Sequence, residues 1–264
     1  MLLYLLLQAL FSGQAMAETA TFGPNLRVNQ GGDGFYQDRA RLEVGPEGNI
    51  YVTWEDWRHT TGSIYFARSL DGGVSFEPEI RVDPSSSSTG GRPVLVRWPC
   101  LGVDGLGMIY VAWVSWEQGE TGQVFCARSV NQGASFETPV RVSDSYVNDR
   151  AWPAICGDPY GGVYLVWCDF RNGEAVVDLY TSRSNDGITF TANAKANLLS
   201  VGPTCTPPLP DIAAGDLPGL VHIVWRQTSY HLNARWIYTC HSDNWGRTFQ
   251  LPVEVSHDPW YFNG

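Results

Sequence analysis

Arg39, Arg97 and Arg150 each carry a planar guanidinium fork of the kind that grips a carboxylate with two parallel hydrogen bonds. Trp98 follows one of these arginines directly and Trp152 lies two residues after another. Arginine beside tryptophan suits an oxygen-rich ligand, a sugar or a carboxylate, because the indole offers a flat apolar face while the fork offers directed donors. A second grouping, Glu55-Asp56-Trp57-Arg58, sets a carboxylate two residues from a guanidinium. Asp56 and Arg58 are therefore candidates for acid/base or anion-holding chemistry, with Arg39 the third catalytic candidate. The bland reading of Asp56 and Arg58 is favoured, because Asp169-Phe170-Arg171 repeats the pattern and a recurring pair more often braces a loop.

The elements that must position these residues form a four-fold repeat. Its anchor is a strand ending in tryptophan: Ile50 to Trp54, Ile109 to Trp113, Val163 to Trp167 and Val221 to Trp225, each with a glycine six residues before the Trp. A second strand follows in every block and runs into a turn. The turns are Ser69-Leu70-Asp71-Gly72-Gly73-Val74-Ser75-Phe76, Ser129-Val130-Asn131-Gln132-Gly133-Ala134-Ser135-Phe136, Ser184-Asn185-Asp186-Gly187-Ile188-Thr189-Phe190 and Ser242-Asp243-Asn244-Trp245-Gly246-Arg247-Thr248-Phe249. Asp or Asn closes such a turn onto backbone N–H groups, Gly takes the positive φ, and Phe enters the next strand as an apolar anchor. All these roles are structural. A short fourth strand follows (Glu79 to Val82, Pro139 to Val142, Ala194 to Asn197, Pro252 to Val255), and the strands expected innermost are Arg41 to Gly45, Cys100 to Val103, Ala154 to Gly157 and Ile212 to Gly215.

These turns resemble the Asp-box, or bacterial neuraminidase repeat, whose pattern is Ser-x-Asp-x-Gly-x-Thr-Phe/Trp. The resemblance implies an all-β fold: a sialidase-like β-propeller of four-stranded blades near residues 38–84, 96–145, 149–198 and 208–257. Asn25 to Asn29 matches a fourth, outer strand with no blade of its own, so the expected ring is an incomplete five- or six-bladed one, truncated after the fourth blade. The resemblance also implies that Arg39, Arg97, Trp98, Arg150 and Trp152 face a central hub as ligand-binding residues; packing around the hub remains an equal reading for the two tryptophans. In sialidases an Arg-Ile-Pro motif heads the first inner strand and a Glu-x-Arg follows the next. Here Arg39-Ala40-Arg41 lacks the proline, and the loop from His59 to Ser63 has no Asp in the place of the acid/base. A Tyr nucleophile and its activating Glu are not assigned.

Bulk properties narrow the rest. The first eleven residues are almost wholly apolar and Ala15-Met16-Ala17 follows, so residues 1–17 are expected to be a signal peptide and residues 18–264 the exported domain. With a net charge of −10 and Lys195 the single lysine, nucleic acid is excluded as a partner. The same acidity gives no long-range pull on an anionic sugar. The six cysteines could pair in an oxidising compartment, although Cys126 and Cys168 sit in apolar runs and read equally as small buried hydrophobes. No metal or cofactor spacing is present. The expectation is a secreted, monomeric propeller that recognises a carbohydrate or an extracellular protein without catalysis and without a membrane anchor after signal cleavage. The alternative is an exo-α-sialidase or a fragment of one.

Overall fold

A computed structural model describes residues 23–32, 34–59, 61–84, 94–116, 121–144, 147–173, 176–198, 208–229 and 234–256. The signal-peptide segment, Cys205 and the terminal Trp260 and Tyr261 lie outside the described residues. Sixteen strands are present among the described residues and no helix. They form four antiparallel sheets, each of four strands in plain sequential order. The first blade is β1 (Gln37–Val44), β2 (Ile50–Asp56), β3 (Ser63–Ser69) and β4 (Ile80–Arg81); the second is β5 (Leu95–Val103), β6 (Ile109–Trp116), β7 (Gln123–Ser129) and β8 (Val140–Arg141). The third is β9 (Arg150–Gly157), β10 (Val163–Asp169), β11 (Asp178–Ser184) and β12 (Ala194–Lys195); the fourth is β13 (Asp211–Ala214), β14 (Val221–Ser229), β15 (Ala234–Ser242) and β16 (Val253–Glu254).

Strands β2, β6 and β10 are buried along almost their whole length: the second and third sheets pack on a neighbour through both faces, and the first packs on the second while its other face meets Val28. The terminal tryptophan of each second strand decides the stacking. Trp113 lies at the interface with the first blade beside Tyr51 and Phe66, Trp167 at that with the second beside Tyr110, and Trp225 at that with the third beside Tyr164. All three are nearly or fully excluded from solvent. The phenylalanines of the turns enter the same seams: Phe136 meets Phe66 edge-on at 5.0 Å, and Phe190 and Phe249 join the next two clusters. Cys100, Cys126, Cys168 and Cys240 are buried and fill apolar space, and no disulfide joins the described cysteines.

The turns themselves are built alike. The serine hydroxyl oxygen accepts the glycine N–H at 2.8 Å (Ser69, Gly73), 2.9 Å (Ser129, Gly133), 2.8 Å (Ser184, Gly187) and 3.0 Å (Ser242, Gly246). The Asp or Asn oxygen accepts the N–H of the Ser or Thr just before the Phe in each block. Asp71, Asn131, Asp186 and Asn244 are thus consumed by their own turns. Gly133 shows why the glycine is needed, since φ is 80° there and an added Cβ would lie 2.6 Å from the Phe66 ring.

The inner strands β1, β5, β9 and β13 pack in succession around a common axis, and the ring is unclosed. Exposure marks the opening. Leu42 of β1 is 59% exposed, whereas Leu101 and Ile155 at the same place in the second and third blades are buried by the blade before them. On the other side of the opening Val224, Ile237 and Val253 of the fourth blade face outward.

Residues 25–29 differ from expectation in one respect: they belong to no ladder. Their contacts are nevertheless those of an outer strand. The Gln30 N–H donates to Glu79 at 2.8 Å, as the Asp144 N–H donates to Asn193 at 2.9 Å between the second and third blades. Val28 packs against Trp54 and Tyr65 on the side of the first blade that faces the opening. A strand ladder needs a partner edge, and among the described residues none stands beside this segment.

Candidate functional site

Three of the four inner strands, β1, β5 and β9, begin several residues earlier than the hydrophobic pattern indicated, because each is interrupted by a bulge. Register shifts occur between Asp38 and Arg41, between Arg97 and Cys100, and opposite Val166 and Cys168. At each bulge one residue is left-handed: Arg39 at φ 54°, Trp98 at 57° and Trp152 at 49°, with Leu209 at 48° just before β13. Such a conformation costs on the order of 1–2 kcal/mol in a non-glycine residue. Three of the four precede proline (Pro99, Pro153, Pro210), where helical conformations are further disfavoured. Strain repeated at one level of four blades throws four side chains toward the axis.

These four residues line one cavity of about 580 Å³ at the hub, together with Arg41, Glu43, Pro99, Cys100, Pro153 and Asp211. Trp98 and Trp152 form its aromatic part, with ring centroids 4.9 Å apart, and Trp116 meets Trp98 edge-on at 5.2 Å. Trp116 is itself fixed by donating to Asp149 at 2.9 Å.

Arg39 reaches the cavity but is already engaged. Its Nη1 donates to Glu55 at 2.9 Å and lies 3.4 Å from Asp38. Glu55 is fully buried, and its other oxygen accepts the Trp98 N–H at 2.5 Å, tying the first blade to the strained bulge of the second. The Arg39 backbone N–H holds the Asp38 carboxyl below its ordinary range, with the Tyr36 hydroxyl assisting.

The other sequence candidates are placed elsewhere. Arg97 does not line the cavity; its guanidinium lies over Trp98 and Trp57, and its Nε is 3.9 Å from Glu55. Arg150 is fully buried behind the hub wall, with its Nε 3.2 Å from Asp169 and Nη1 donating to the carbonyls of Val147 and Asn148. Burial pulls the Arg150 guanidinium pKa down against the opposing pull of Asp169. Asp56 and Arg58 form a bidentate pair at 2.8 and 2.5 Å, with Arg58 stacked on Tyr65 and paired to Glu79 at 2.6 Å. Asp169 and Arg171 reproduce this pair at 2.9 and 2.7 Å, with Arg171 stacked on Tyr180. Burial pushes the Asp56 carboxyl up, but the hydrogen bonds from Arg58 and Trp54 outweigh it and leave the group ionised more readily than usual.

Glu55, Arg41, Glu43 and Asp211 are the residues that pattern reading passed over. A repeated x-Pro dipeptide at Trp98, Trp152 and Leu209 was the available signal, since aligning on it brings Arg41 and Asp211 to the same level. Among the described residues no group of three or more His, Cys, Asp or Glu side chains is placed to hold a metal ion.

A cavity at the hub of stacked four-stranded blades is the setting in which known structures can be compared. A Hadza microbial sialidase superposes with a TM-score of 0.61 over 84% of this chain and 47% of its own length, at 18% identity. The chain has a sialidase-like propeller fold. A leech intramolecular trans-sialidase, in complex with 2,7-anhydro-Neu5Ac, matches with a TM-score of 0.61 at 12% identity over 90% of this chain and 54% of its own. An α-L-arabinanase of Penicillium chrysogenum, in complex with arabinobiose, matches with a TM-score of 0.56 at 16% identity over 82% and 65%. The propeller thus spans about half the length of the sialidases and about two thirds of the arabinanase. At such identities the likeness is one of fold. No family model and no curated protein matches the sequence.

Proposed function

We propose that this chain is a secreted propeller of the Asp-box type whose hub binds carbohydrate, free or on an extracellular glycoprotein, without hydrolysing it. One observation carries the reading: a cavity of about 580 Å³ in which Trp98 and Trp152 present aromatic surface among arginine and carboxylate side chains. Sugar rings lay their C–H faces on indole, and their hydroxyls both donate and accept, which suits a lining of mixed charge. The similar structures include a trans-sialidase in complex with 2,7-anhydro-Neu5Ac and an arabinanase in complex with arabinobiose.

Absence of turnover is the reading favoured by the carboxylates. Glycoside hydrolysis in this manner needs a carboxylic acid free to give and regain a proton beside the bound sugar. The acid candidate of the sequence, Asp56, is buried and bound to Arg58, and Glu55 is buried and bound to Arg39 and Trp98, which leaves Glu43 and Asp211 of the lining as the carboxylates an enzyme would have to use. The second reading, an exo-α-sialidase, draws on Arg39 and Arg97 converging near Glu55 at the hub.

A fluorogenic sialoside and a glycan array separate the two. The binding reading expects array signals and no release of fluorophore above a blank; turnover abolished by Arg39→Ala would replace it with the enzyme.

A further inference from the structure

We infer that the hub selects uncharged carbohydrate and discriminates against sugars that carry a carboxylate, because acids outnumber arginines around its tryptophans and Arg39 is already bound to Glu55. This inference rests on the carbohydrate-binding reading of the hub and adds the ligand's charge.

The inventory is short. Arg39 donates to Glu55 and sits beside Asp38. Arg97 approaches the same Glu55 oxygen at 3.9 Å and spends the face of its guanidinium on Trp57 and Trp98. Arg41, the remaining guanidinium of the cavity, donates to its neighbour's carbonyl at Ala40 and shares the lining with Glu43 and Asp211. Arg39 and Arg41 thus line the cavity with Glu43 and Asp211, and behind them Arg97 stands with Asp38 and Glu55, so three arginines lie among four carboxylates. Burial and the charge of Asp211 together push the Glu43 carboxyl pKa up, so the acids at the hub already repel one another.

A ligand carboxylate entering such a site finds Arg39 held by Glu55, and the one guanidinium open to it among the described residues, Arg41, shares the lining with the carboxylates of Glu43 and Asp211. Bidentate capture by Arg39 would require it to leave Glu55, which is fully buried and would be stranded as an unpaired charge. The net charge of −10 on the chain adds a long-range repulsion of the same sign. An uncharged sugar avoids both costs. Its hydroxyls donate to Glu43 and Asp211 and accept from Arg39 or Arg41, while a ring face covers Trp98 or Trp152.

The test uses an array of glycans in matched pairs, each printed with and without a terminal sialic acid, and including arabinobiose. The wild-type protein is expected to bind uncharged members, with every sialylated partner at least about tenfold weaker. Glu55→Gln, which releases Arg39, and the double variant Glu43→Gln/Asp211→Asn, which spares the buried group, should each narrow that ratio by about tenfold. Sialylated glycans bound as well as or better than their uncharged partners by the wild type would overturn the inference, as would a ratio that neither variant moves. Failure of the wild type to bind any glycan would overturn the carbohydrate reading itself, and with it this inference.

Discussion

The carboxylate of Glu55 on the first blade accepts the backbone N–H of Trp98 on the second at 2.5 Å. That one bond joins two sheets at the level where the inner strand of each is strained, since Arg39 and Trp98 are both left-handed. It also fixes Arg39, which donates to the other oxygen of the same carboxylate. Ring orientation, guanidinium position and blade spacing at the hub therefore share a single buried anion.

An asymmetry in stability follows. Arg39→Ala leaves Glu55 buried with less compensation and should cost about 3 kcal/mol. Glu55→Gln keeps an acceptor for the Trp98 N–H and frees an arginine that solvent already reaches, so its cost should be nearer 1 kcal/mol. Urea denaturation of both variants checks the order; a larger loss for Glu55→Gln would show that the carboxylate charge is not what matters.

The duplicated Asp-x-Arg braces provide an internal control. Asp169 compensates Arg171 and also the fully buried Arg150, whereas Asp56 serves Arg58, which keeps Glu79 as a second partner. Asp169→Ala should therefore cost about 3–5 kcal/mol by stranding Arg150, and Asp56→Ala about 1–3 kcal/mol. Equal losses at the two sites would contradict the role given to Arg150.

Acid sensitivity should trace to the turns. The Ser75 hydroxyl and N–H hold the Asp71 carboxyl well below its usual range, and the Thr189 and Ile188 N–H groups do the same for Asp186. A carboxyl depressed in the folded state contributes stability that is present above its unfolded pKa, near 3.9, and is lost as pH falls through the folded value. Replacing both by Asn, the residue already present in the second and fourth turns, should lower thermal stability at neutral pH, where the ionised carboxyls contribute, and flatten the decline below about pH 4. An acid limb as steep as that of the wild type would refute the assignment.

Glu79 joins the N-terminal segment to the first blade by accepting from Gln30 and pairing with Arg58. Glu79→Ala should cost about 1 kcal/mol and speed proteolysis within residues 23–32. Unchanged cleavage there would mean that the segment is held by Val28 and its apolar neighbours alone.

The repeat was plain in the sequence because its signals are local. A glycine six residues before a tryptophan, and a Ser-x-Asx turn ending in Phe, each specify one hairpin through backbone chemistry, and four copies place four sheets. The hub was less legible. A bulge shifts side-chain alternation by one residue, so Arg39, read as the counterpart of an inner-strand arginine, stands instead at the level of Trp98, Trp152 and Leu209. Arg150 shows the same limit from the other side: proximity to Trp152 in sequence placed it at the hub, while strand alternation turned it inward to Asp169. Glu55 carried no mark at all, because its partners come from Arg39, sixteen residues back, and from Trp98 on the next blade.

Isothermal titration of the wild type and Trp152→Ala with an uncharged glycan selected on the array tests most directly whether the hub is the binding site. Removing the Trp152 ring should weaken binding at least about tenfold, a loss of about 1.4 kcal/mol, while the far-ultraviolet spectrum stays that of the parent. Undiminished affinity in a folded Trp152→Ala protein would place the ligand elsewhere and contradict a carbohydrate site at the hub.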